Sequence, residues 1–185
     1  MKTHDTPTIC NAIEVAQGRP GFDGFTHRMM FWSGPPDLRV VGSARAARIA
    51  GRTPPQETSE DIRARRMNCF RSIAAAPRSG AAVVKDMDGN WAVGASWGEI
   101  NARIHAGVFG LDGVLTKGVM RDLGDMPHDF PVFAGAVGPS HGFVHFRETG
   151  TPARVTLPCS GGHQSKVVAT LTGVSDGGAK ATCFF

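Results

Sequence analysis

The sequence predicts an α/β fold organised as one domain. Apolar, β-branched runs of strand length alternate along the chain with segments whose apolar residues recur at helical spacing, which is typical of α/β proteins. The 24 glycines and 12 prolines indicate many turns and short elements. At 185 residues the chain is long enough to bury one core without disulfide or metal cross-links.

The first half of the chain predicts a short N-terminal helix, a strand and a longer helix. The segment LRVVGSARAARI predicts a strand over about residues 38–49. Thr58 and Asp61 have the spacing of a capping box, which predicts that a helix begins there and ends near Pro77. One face of this helix carries apolar residues at helical spacing, namely Ile62, Cys69, Phe70 and Ile73.

The second half of the chain predicts four strands and one more helix. The apolar run over residues 81–88 ends in acidic residues and is followed by a glycine, as expected for a buried strand that enters a turn. A helix over about residues 98–108 follows it. Three further strands are predicted at residues 113–118, from Pro131 and from Gly142.

Composition limits the partners that we expect. No apolar run approaches the ~20 residues of a membrane-spanning helix, and the opening MKTHDTPTIC lacks the apolar stretch of a secretory signal. We therefore expect a cytoplasmic protein without a membrane partner. The formal charge of +4 and the arginines at 63, 65, 66 and 71 indicate either an affinity for anions or a solvated helix face. We favour the solvated face, and no nucleic-acid partner, because no aromatic residues interleave with these arginines.

The cysteines and histidines do not have the spacing of a metal site. The four cysteines, at 10, 69, 159 and 183, form no Cys-x-x-Cys pair, which argues against a zinc knuckle or a dithiol redox site. His105 lies within a predicted helix and is expected to be a packing residue. His145 alternates with apolar strand neighbours and is a candidate core residue. His141 lies on a predicted turn, and a place at the rim of a pocket and one away from it are equally favoured.

The stretch over residues 91–125 carries the polar residues that suggest chemistry. Gly98 and Glu99 open a predicted helix, and Arg121 and Asp122 follow a predicted strand. In α/β folds such strand ends and helix N-termini commonly hold ligands. These residues are therefore the candidate site.

Each of these residue types suits a small anionic ligand. The backbone N–H groups of Ile100 and Asn101 are free in the first helical turn and can bind a substrate carboxylate, and Gly98 before them permits close approach. Arg121 offers a planar fork for a carboxylate or an enolate oxygen, and Asp122 offers the hard oxygen that Mg²⁺ or Mn²⁺ prefers. Taken alone, an Arg-Asp dipeptide is more often a loop ion pair.

The wider pattern resembles the RraA-like family, which is named after the regulator of ribonuclease activity A. Its members carry a Gly followed by a small or acidic residue, a helix, Gly-x-x-Gly, a β-branched strand and Gly-x-x-Arg-Asp. Here these elements stand at residues 98–99, 110–113, 114–115 and 118–122. The resemblance includes the segments TPTICNAIEVAQG, RVVGSARAARI and PVFAGAVGPSHGFVHFRETGTP, and it covers about residues 6–152.

The resemblance implies a layered α/β/β/α domain of the swivelling type, with a central mixed sheet or small barrel. A single domain would span residues 1–185, with residues 153–185 as a divergent tail. The implied activity is that of a divalent-metal-dependent lyase that cleaves a 2-oxo acid to pyruvate through a stabilised enolate. The substrates would be of the 4-hydroxy-4-methyl-2-oxoglutarate type, oxaloacetate, or both, and the implied assembly is a homotrimer or hexamer.

The resemblance also implies a role for each site residue. Asp122 would anchor Mg²⁺ or Mn²⁺, and Arg121 would stabilise the pyruvate enolate. Glu99 would assist an ordered water that takes the proton of the C4 hydroxyl. Asp125 stands at the acidic position three residues after Asp122 in the aldolase version of the motif, and with His141 it completes the candidate pocket.

The chain departs from the family pattern at three places. Twenty-one residues separate Glu99 from Arg121, where the aldolase motif has twenty, which predicts a small insertion near residues 105–109. Lys117 stands where members usually have Asp or Asn, and it either changes the charge of the pocket or points to solvent. After Pro152 an unrelated tail replaces the family's closing segment. We expect this tail to pack poorly or to pair differently, with the closing strands missing.

Two other functions compete with the lyase. One is a non-catalytic regulator that binds a partner protein such as a ribonuclease. Family members of that kind tend to lose the Asp after the Arg, so Asp122 favours the enzyme. The other is a methyltransferase, which we disfavour because no Gly-rich loop after a strand has the acidic partner that cofactor binding needs.

Overall fold

The computed structural model of the chain describes residues 4, 6–22, 30–35, 38–75, 79–149, 169–175 and 178–184. Its three α-helices are α1 (Thr6–Gln17), α2 (Ser59–Ala74) and α3 (Glu99–Arg103). A 3₁₀ turn covers Gly89–Trp91, and a π-helical segment, Ile104–Val108, continues α3 without a break. The strands are β1 (Phe31–Trp32), β2 (Val41–Ala50), β3 (Gly80–Asp86), β4 (Gly113–Met120), β5 (Val132–Val137), β6 (His145–Thr149), β7 (Ala169–Ser175) and β8 (Gly178–Phe184).

The strands form one mixed sheet, which confirms the predicted fold class. Its order is β1-β5-β4-β3-β2-β8-β7, and β6 also pairs with β2. The neighbours from β2 to β5 are parallel, whereas β1, β6, β7 and β8 pair antiparallel. β6 and β8 share the outer edge of β2, with β6 along residues 47–50 and β8 along residues 41–43.

The central strands β3 and β4 are mostly apolar and almost entirely buried because both faces of the sheet are covered. Successive side chains of β3 and β4 point to opposite faces and enter two different core clusters. One cluster places Ala82, Val84 and Val114 against Cys69 and Ile73 of α2. The other cluster, on the opposite face, contains Ala81, Val83, Leu115, Met30, Val40 and Phe133.

The start of α2 confirms the predicted capping box. The Thr58 hydroxyl oxygen accepts the N–H of Asp61 at 3.1 Å, and the hydroxyl donates to the Asp61 carboxylate at 2.6 Å. The helix ends at Ala74, shortly before the predicted end at Pro77, which lies outside the described residues. Among the described helices, none combines the length and the apolarity that crossing a bilayer requires.

The tail contributes two strands that the sequence did not predict. β7 and β8 form an antiparallel hairpin, and β8 extends the sheet beside β2. The tail therefore pairs at the edge of the sheet, where an exposed strand edge bonds through main-chain groups that any extended segment can supply. Residues 150–168 and the side chains of these two strands lie outside the described part of the chain.

Candidate active site

The site lies where the end of β4 meets the start of α3. The Arg121 N–H donates to the Trp97 carbonyl at 2.9 Å, and Trp97 forms a parallel bridge with Met120. These contacts hold the residues before α3 beside the last residues of β4. The two pairs that the sequence singled out, at residues 98–99 and 121–122, are therefore neighbours in space.

Asp122 has an unusual backbone conformation at this junction. Its φ is 57°, in the left-handed region that few residues other than glycine adopt, although aspartate is among the more tolerant. Its Oδ2 accepts the N–H of Glu99 at 3.3 Å, at the start of α3. A Cβ at position 98 would collide with this carboxylate, so Gly98 allows the carboxylate its present position beside the start of α3. Backbone conformations of this kind are concentrated at functional sites.

The Asp122 carboxylate is partly exposed and lies beside a guanidinium. Its Oδ1 lies 3.7 Å from the Arg121 guanidinium, which is too long for a hydrogen bond, and the side chain is 34% exposed. Magnesium is commonly held by one or two carboxylates with substrate oxygens and water as the remaining ligands. The described residues contain no group of three or more His, Cys, Asp or Glu side chains suited to a metal. The donors therefore fit an open site on one carboxylate better than a closed protein cage.

A cleft of about 550 Å³ opens beside this junction. One wall is the α2 face that carries Ile62, Arg66 and Phe70, a second is the start of α3 with Gly98, and a third is the segment 141–146. Arg121 also lines the cleft. No aspartate or glutamate lines it among the described residues, so its charged lining is cationic.

The start of α3 offers two free donors to this cleft. The N–H groups of Ile100 and Asn101 have no acceptor among the described residues, and both residues line the cleft. The Asn101 side-chain amide donates to the Ser96 carbonyl at 2.5 Å, which holds the turn before the helix. These donors are available to an anion, as the sequence interpretation requires.

Four residues from the sequence interpretation are not among those that line the cleft, namely Asp122, Glu99, Asp125 and Lys117. The Glu99 carboxylate pairs with Arg103, one turn later on the same helix, at 2.8 Å. Asp125 is exposed, and its N–H donates to the Asp122 carbonyl at 3.0 Å. Lys117 is partly exposed and is not among the residues that line the cleft.

The three histidines occupy different environments. His141 is exposed and lines the cleft, and its Nδ1–H donates to the Gly142 carbonyl at 2.7 Å, which leaves Nε2 free to accept a proton in the neutral ring. His145 is buried, as expected for a core residue, although one side of it also reaches the cleft. His105 is 2% exposed and packs against Trp97, which confirms it as a packing residue. Burial lowers the pKa of His105 to about 4.

The π-helical segment Ile104–Val108 coincides with the insertion predicted near residues 105–109. A π-turn accommodates more residues than an α-turn, so it can absorb an extra residue without displacing the elements on either side. The hydrogen bond from His105 Nδ1–H to the Asn101 carbonyl, at 2.7 Å, links this segment to α3.

Sequence reasoning missed two features of the site. Arg66 is exposed, as expected for the solvated helix face, but it also lines the cleft between Ile62 and Phe70. The spacing of these three residues, i, i+4 and i+8 on one helix, was the available signal. The second missed feature is Asp86. It is 1% exposed, it accepts the N–H groups of Asp88 and Gly94, and burial raises its pKa.

Asp86 is linked to the site through the backbone. Its Oδ2 accepts the Gly94 N–H at 3.0 Å, and the Gly94 carbonyl accepts the Val119 N–H at 3.1 Å. The chain segment that leads to α3 is therefore tied to β4 two residues before Arg121. The sequence shows Asp86 as an acidic residue at the end of a buried strand, but only the fold shows that it accepts the Gly94 N–H.

Comparisons with known proteins show the fold and leave the activity open. No protein-family model matches the chain, and no curated protein sequence matches it. Among solved structures, one described as novel cellulases from microbes associated with the gut ecosystem has a TM-score of 0.59 at 14% identity. That match covers 80% of this chain and 62% of the other, so this chain spans about three fifths of the length of that structure.

Two further structures match over most of this chain. An S-adenosylmethionine:2-dimethylmenaquinone methyltransferase from Geobacillus kaustophilus HTA426 has a TM-score of 0.51 at 18% identity, covering 97% of this chain and 94% of its own. Streptomyces coelicolor RraAS2, described as an unusual member of the RNase ES inhibitor RraA protein family, has a TM-score of 0.52 at 18% identity, covering 82% and 69%. The chain therefore has a mixed α/β fold of the kind seen in an RraA-family structure.

Proposed function

We propose that the chain is a divalent-metal-dependent lyase that cleaves a 2-oxo acid to pyruvate. The observation that carries this proposal is one cleft in which Arg121 and the free N–H groups of Ile100 and Asn101 meet. The Asp122 carboxylate does not line the cleft, but it accepts the Glu99 N–H at the start of α3. The resemblance in sequence at residues 98–122 supports the same activity.

The residues of the cleft suit a substrate that carries a carboxylate beside a keto group. The N–H groups of Ile100 and Asn101 would bind the carboxylate. The Arg121 guanidinium would donate to the keto oxygen, where negative charge develops when the bond between C3 and C4 breaks. Asp122 would hold Mg²⁺ or Mn²⁺, and this metal would act as a Lewis acid toward the same substrate oxygens.

Retro-aldol cleavage also needs a group that takes the proton of the C4 hydroxyl. The sequence interpretation gave this task to a water assisted by Glu99, but the ion pair with Arg103 competes for that carboxylate. We assign the task to His141, because its Nε2 is free to accept a proton and the residue lines the cleft. Decarboxylation of oxaloacetate passes through the same enolate and needs no such base.

A coupled assay with lactate dehydrogenase tests the proposal on oxaloacetate and on 4-hydroxy-4-methyl-2-oxoglutarate. We expect pyruvate release that depends on Mg²⁺ and stops with a chelator. His141→Asn should slow the retro-aldol reaction by ~10²-fold or more and leave decarboxylation much less affected. Absence of metal-dependent pyruvate release from both substrates would refute the lyase.

One observation favours the alternative, a non-catalytic regulator that binds a partner protein. Large apolar side chains are exposed beside the site, namely Ile100 (70%), Phe143 (54%) and Leu123 (47%). Exposed apolar groups of this kind mark interaction surfaces when they are contiguous. A homotrimer or hexamer would cover some of them as well, so sedimentation analysis of the purified chain is the first measurement to make.

A further inference from the structure

The cleft is larger and more apolar than the formation of pyruvate requires. Its volume of about 550 Å³ lies within the ~300–1,000 Å³ of pockets that bury a drug-sized ligand. Beyond Arg121 and the donors of α3, its lining includes Ile62, Phe70, Ile104 and Phe143. The groups that would bind the 2-oxo acid therefore face additional space with apolar walls.

The apolar part of the cleft is held in place by aromatic packing. The Phe70 ring lies 5.5 Å from that of Phe109 and 6.3 Å from that of Phe146, between ring centroids. It also meets the buried His105 ring edge-on at 5.7 Å. Such contacts restrict the Phe70 side chain, so the wall is preformed and suits an aromatic or branched hydrocarbon group.

The polar groups in the same space indicate an anionic ligand. Arg66 has no hydrogen-bond or ion-pair partner among the described residues, whereas the adjacent Arg65 donates to Glu57 and to the Phe146 carbonyl, each at 3.1 Å. The buried hydroxyl of Ser96, which also lines the cleft, has no hydrogen-bond partner there. Arg66 and Arg121 line the cleft and no acidic residue of the described lining does, although Asp122 lies 3.7 Å from Arg121 outside it. Charge complementarity therefore favours a ligand with a carboxylate and an apolar body.

We propose that the substrate is a 4-hydroxy-2-oxo acid that carries an aromatic or branched hydrocarbon group on C4. This inference rests on the proposed function. The carboxylate and keto group lie at Ile100, Asn101 and Arg121, and the apolar group packs between Phe70 and Phe143. The bond between C3 and C4 breaks, the hydroxyl proton leaves and C4 becomes an aldehyde or ketone carbonyl. The electron pair of that bond forms the enolate, which takes a proton at C3 to give pyruvate, so no oxidant or reductant is needed.

The kinetic test compares two substrates that differ only in the group on C4. These are 4-hydroxy-2-oxo-4-phenylbutanoate and 4-hydroxy-2-oxobutanoate, with oxaloacetate as a reference for enolate formation alone. We expect kcat/KM for the phenyl substrate to be ~10–100-fold higher than for the unsubstituted one, because burial of a ring stabilises the complex. Equal or lower kcat/KM for the phenyl substrate would overturn the inference.

Variants locate the effect in the cleft. Phe143→Ala should lower the ratio of kcat/KM for the phenyl substrate to that for oxaloacetate by about tenfold, mainly through KM. The matched control is Val108→Ala, because Val108 is also apolar and exposed (65%) but does not line the cleft. It should leave the ratio unchanged. If Phe143→Ala behaves like this control, the group on C4 does not pack there and the assignment is wrong.

A binding measurement separates this inference from the lyase itself. In calorimetry with Mg²⁺ present, we expect phenylpyruvate to bind at least ~10-fold more tightly than pyruvate. Equal affinities together with pyruvate release from oxaloacetate would overturn the inference and retain the lyase. If phenylpyruvate binds more tightly but no substrate is turned over, the cleft still binds apolar 2-oxo acids and the proposed lyase activity is wrong.

Discussion

At the scale of single residues, Arg121 and Asp122 are assigned different tasks that substitution should separate. Asp122→Asn keeps the shape of the side chain but removes the charge that holds the metal, so pyruvate release should fall and recover only at much higher Mg²⁺ concentration. Arg121→Lys keeps a positive charge but loses the bidentate fork. Metal affinity should survive in that variant, while turnover slows by ~10²–10³-fold.

Calorimetric titration with Mg²⁺ and steady-state pyruvate release measure the two effects. The matched control is Asp129→Asn, because Asp129 is an exposed carboxylate that lies outside the cleft lining. It should bind Mg²⁺ and turn over like the parent chain. If Asp122→Asn also does so, the metal assignment is wrong and the regulator becomes the leading hypothesis.

His105 makes stability depend on pH in a predictable direction. Burial lowers its pKa from an ordinary 6.5 to about 4, so the unfolded chain binds the proton more readily than the folded one. Its contribution to stability is complete above about pH 6.5 and is lost as the pH falls towards 4. At pH 5 we expect the free energy of unfolding to be about 2 kcal/mol lower than at pH 7 from this residue.

Urea unfolding at pH 5 and pH 7 measures this contribution. His105→Phe should flatten the difference between the two pH values, because phenylalanine fills the aromatic surroundings without titrating. The exposed His128 provides the control, and His128→Phe should leave the difference in place. The same pH dependence in His105→Phe as in the parent would contradict the assignment.

At the scale of elements, two glycines with open surroundings should respond in opposite ways to alanine. An added Cβ meets nothing within 4 Å at either Gly107 or Gly89, but only Gly89 has a positive φ, of 63°. Gly107 lies in the π-helical segment that continues α3. Gly107→Ala should therefore stabilise the fold by ~0.4–1 kcal/mol, whereas Gly89→Ala should destabilise it by ~1 kcal/mol.

The midpoint of urea unfolding measures both changes, and each variant serves as the control for the other. A lower midpoint for Gly107→Ala would show that the π-helical segment needs a glycine for its backbone. That result would mean that the segment does not tolerate ordinary helical residues at its exposed positions.

At the scale of the whole molecule, the tail should protect one edge of the sheet. On the outer edge of β2, β8 covers residues 41–43 and β6 covers residues 47–50, while β3 pairs with the opposite edge. A chain that ends after Thr149 should keep its core but lose on the order of 2 kcal/mol of stability. Its free edge should also promote association between copies.

Urea unfolding and sedimentation velocity check this prediction against the full-length chain at the same concentrations. We expect a lower unfolding midpoint and a weight-average mass that rises with concentration only in the shortened chain. A shortened chain with the parent's midpoint and mass would show that β8 does not contribute to the edge of the sheet in solution.

The elements that local sequence determines were predicted well. Thr58 and Asp61 marked the start of α2, and the apolar run before Asp86 marked β3, because caps and buried strands leave their pattern within a few residues. The two-residue strand β1 was not predicted, since its pairing with β5 depends on a distant partner. The hairpin β7-β8 was also missed; its two strands are neighbours along the chain, and only the pairing of β8 with β2 depends on a distant partner.

The sequence by itself determined the α/β class, the order of the main elements and the residues of the candidate site at 98–101 and 121–122. These follow from spacing and residue type, which act locally. Only the tertiary structure decided that Arg66 faces the cleft and that His141 joins Arg121 there. Such contacts join side chains that lie far apart along the chain, so they depend on how α2, α3 and the segment after β5 pack together.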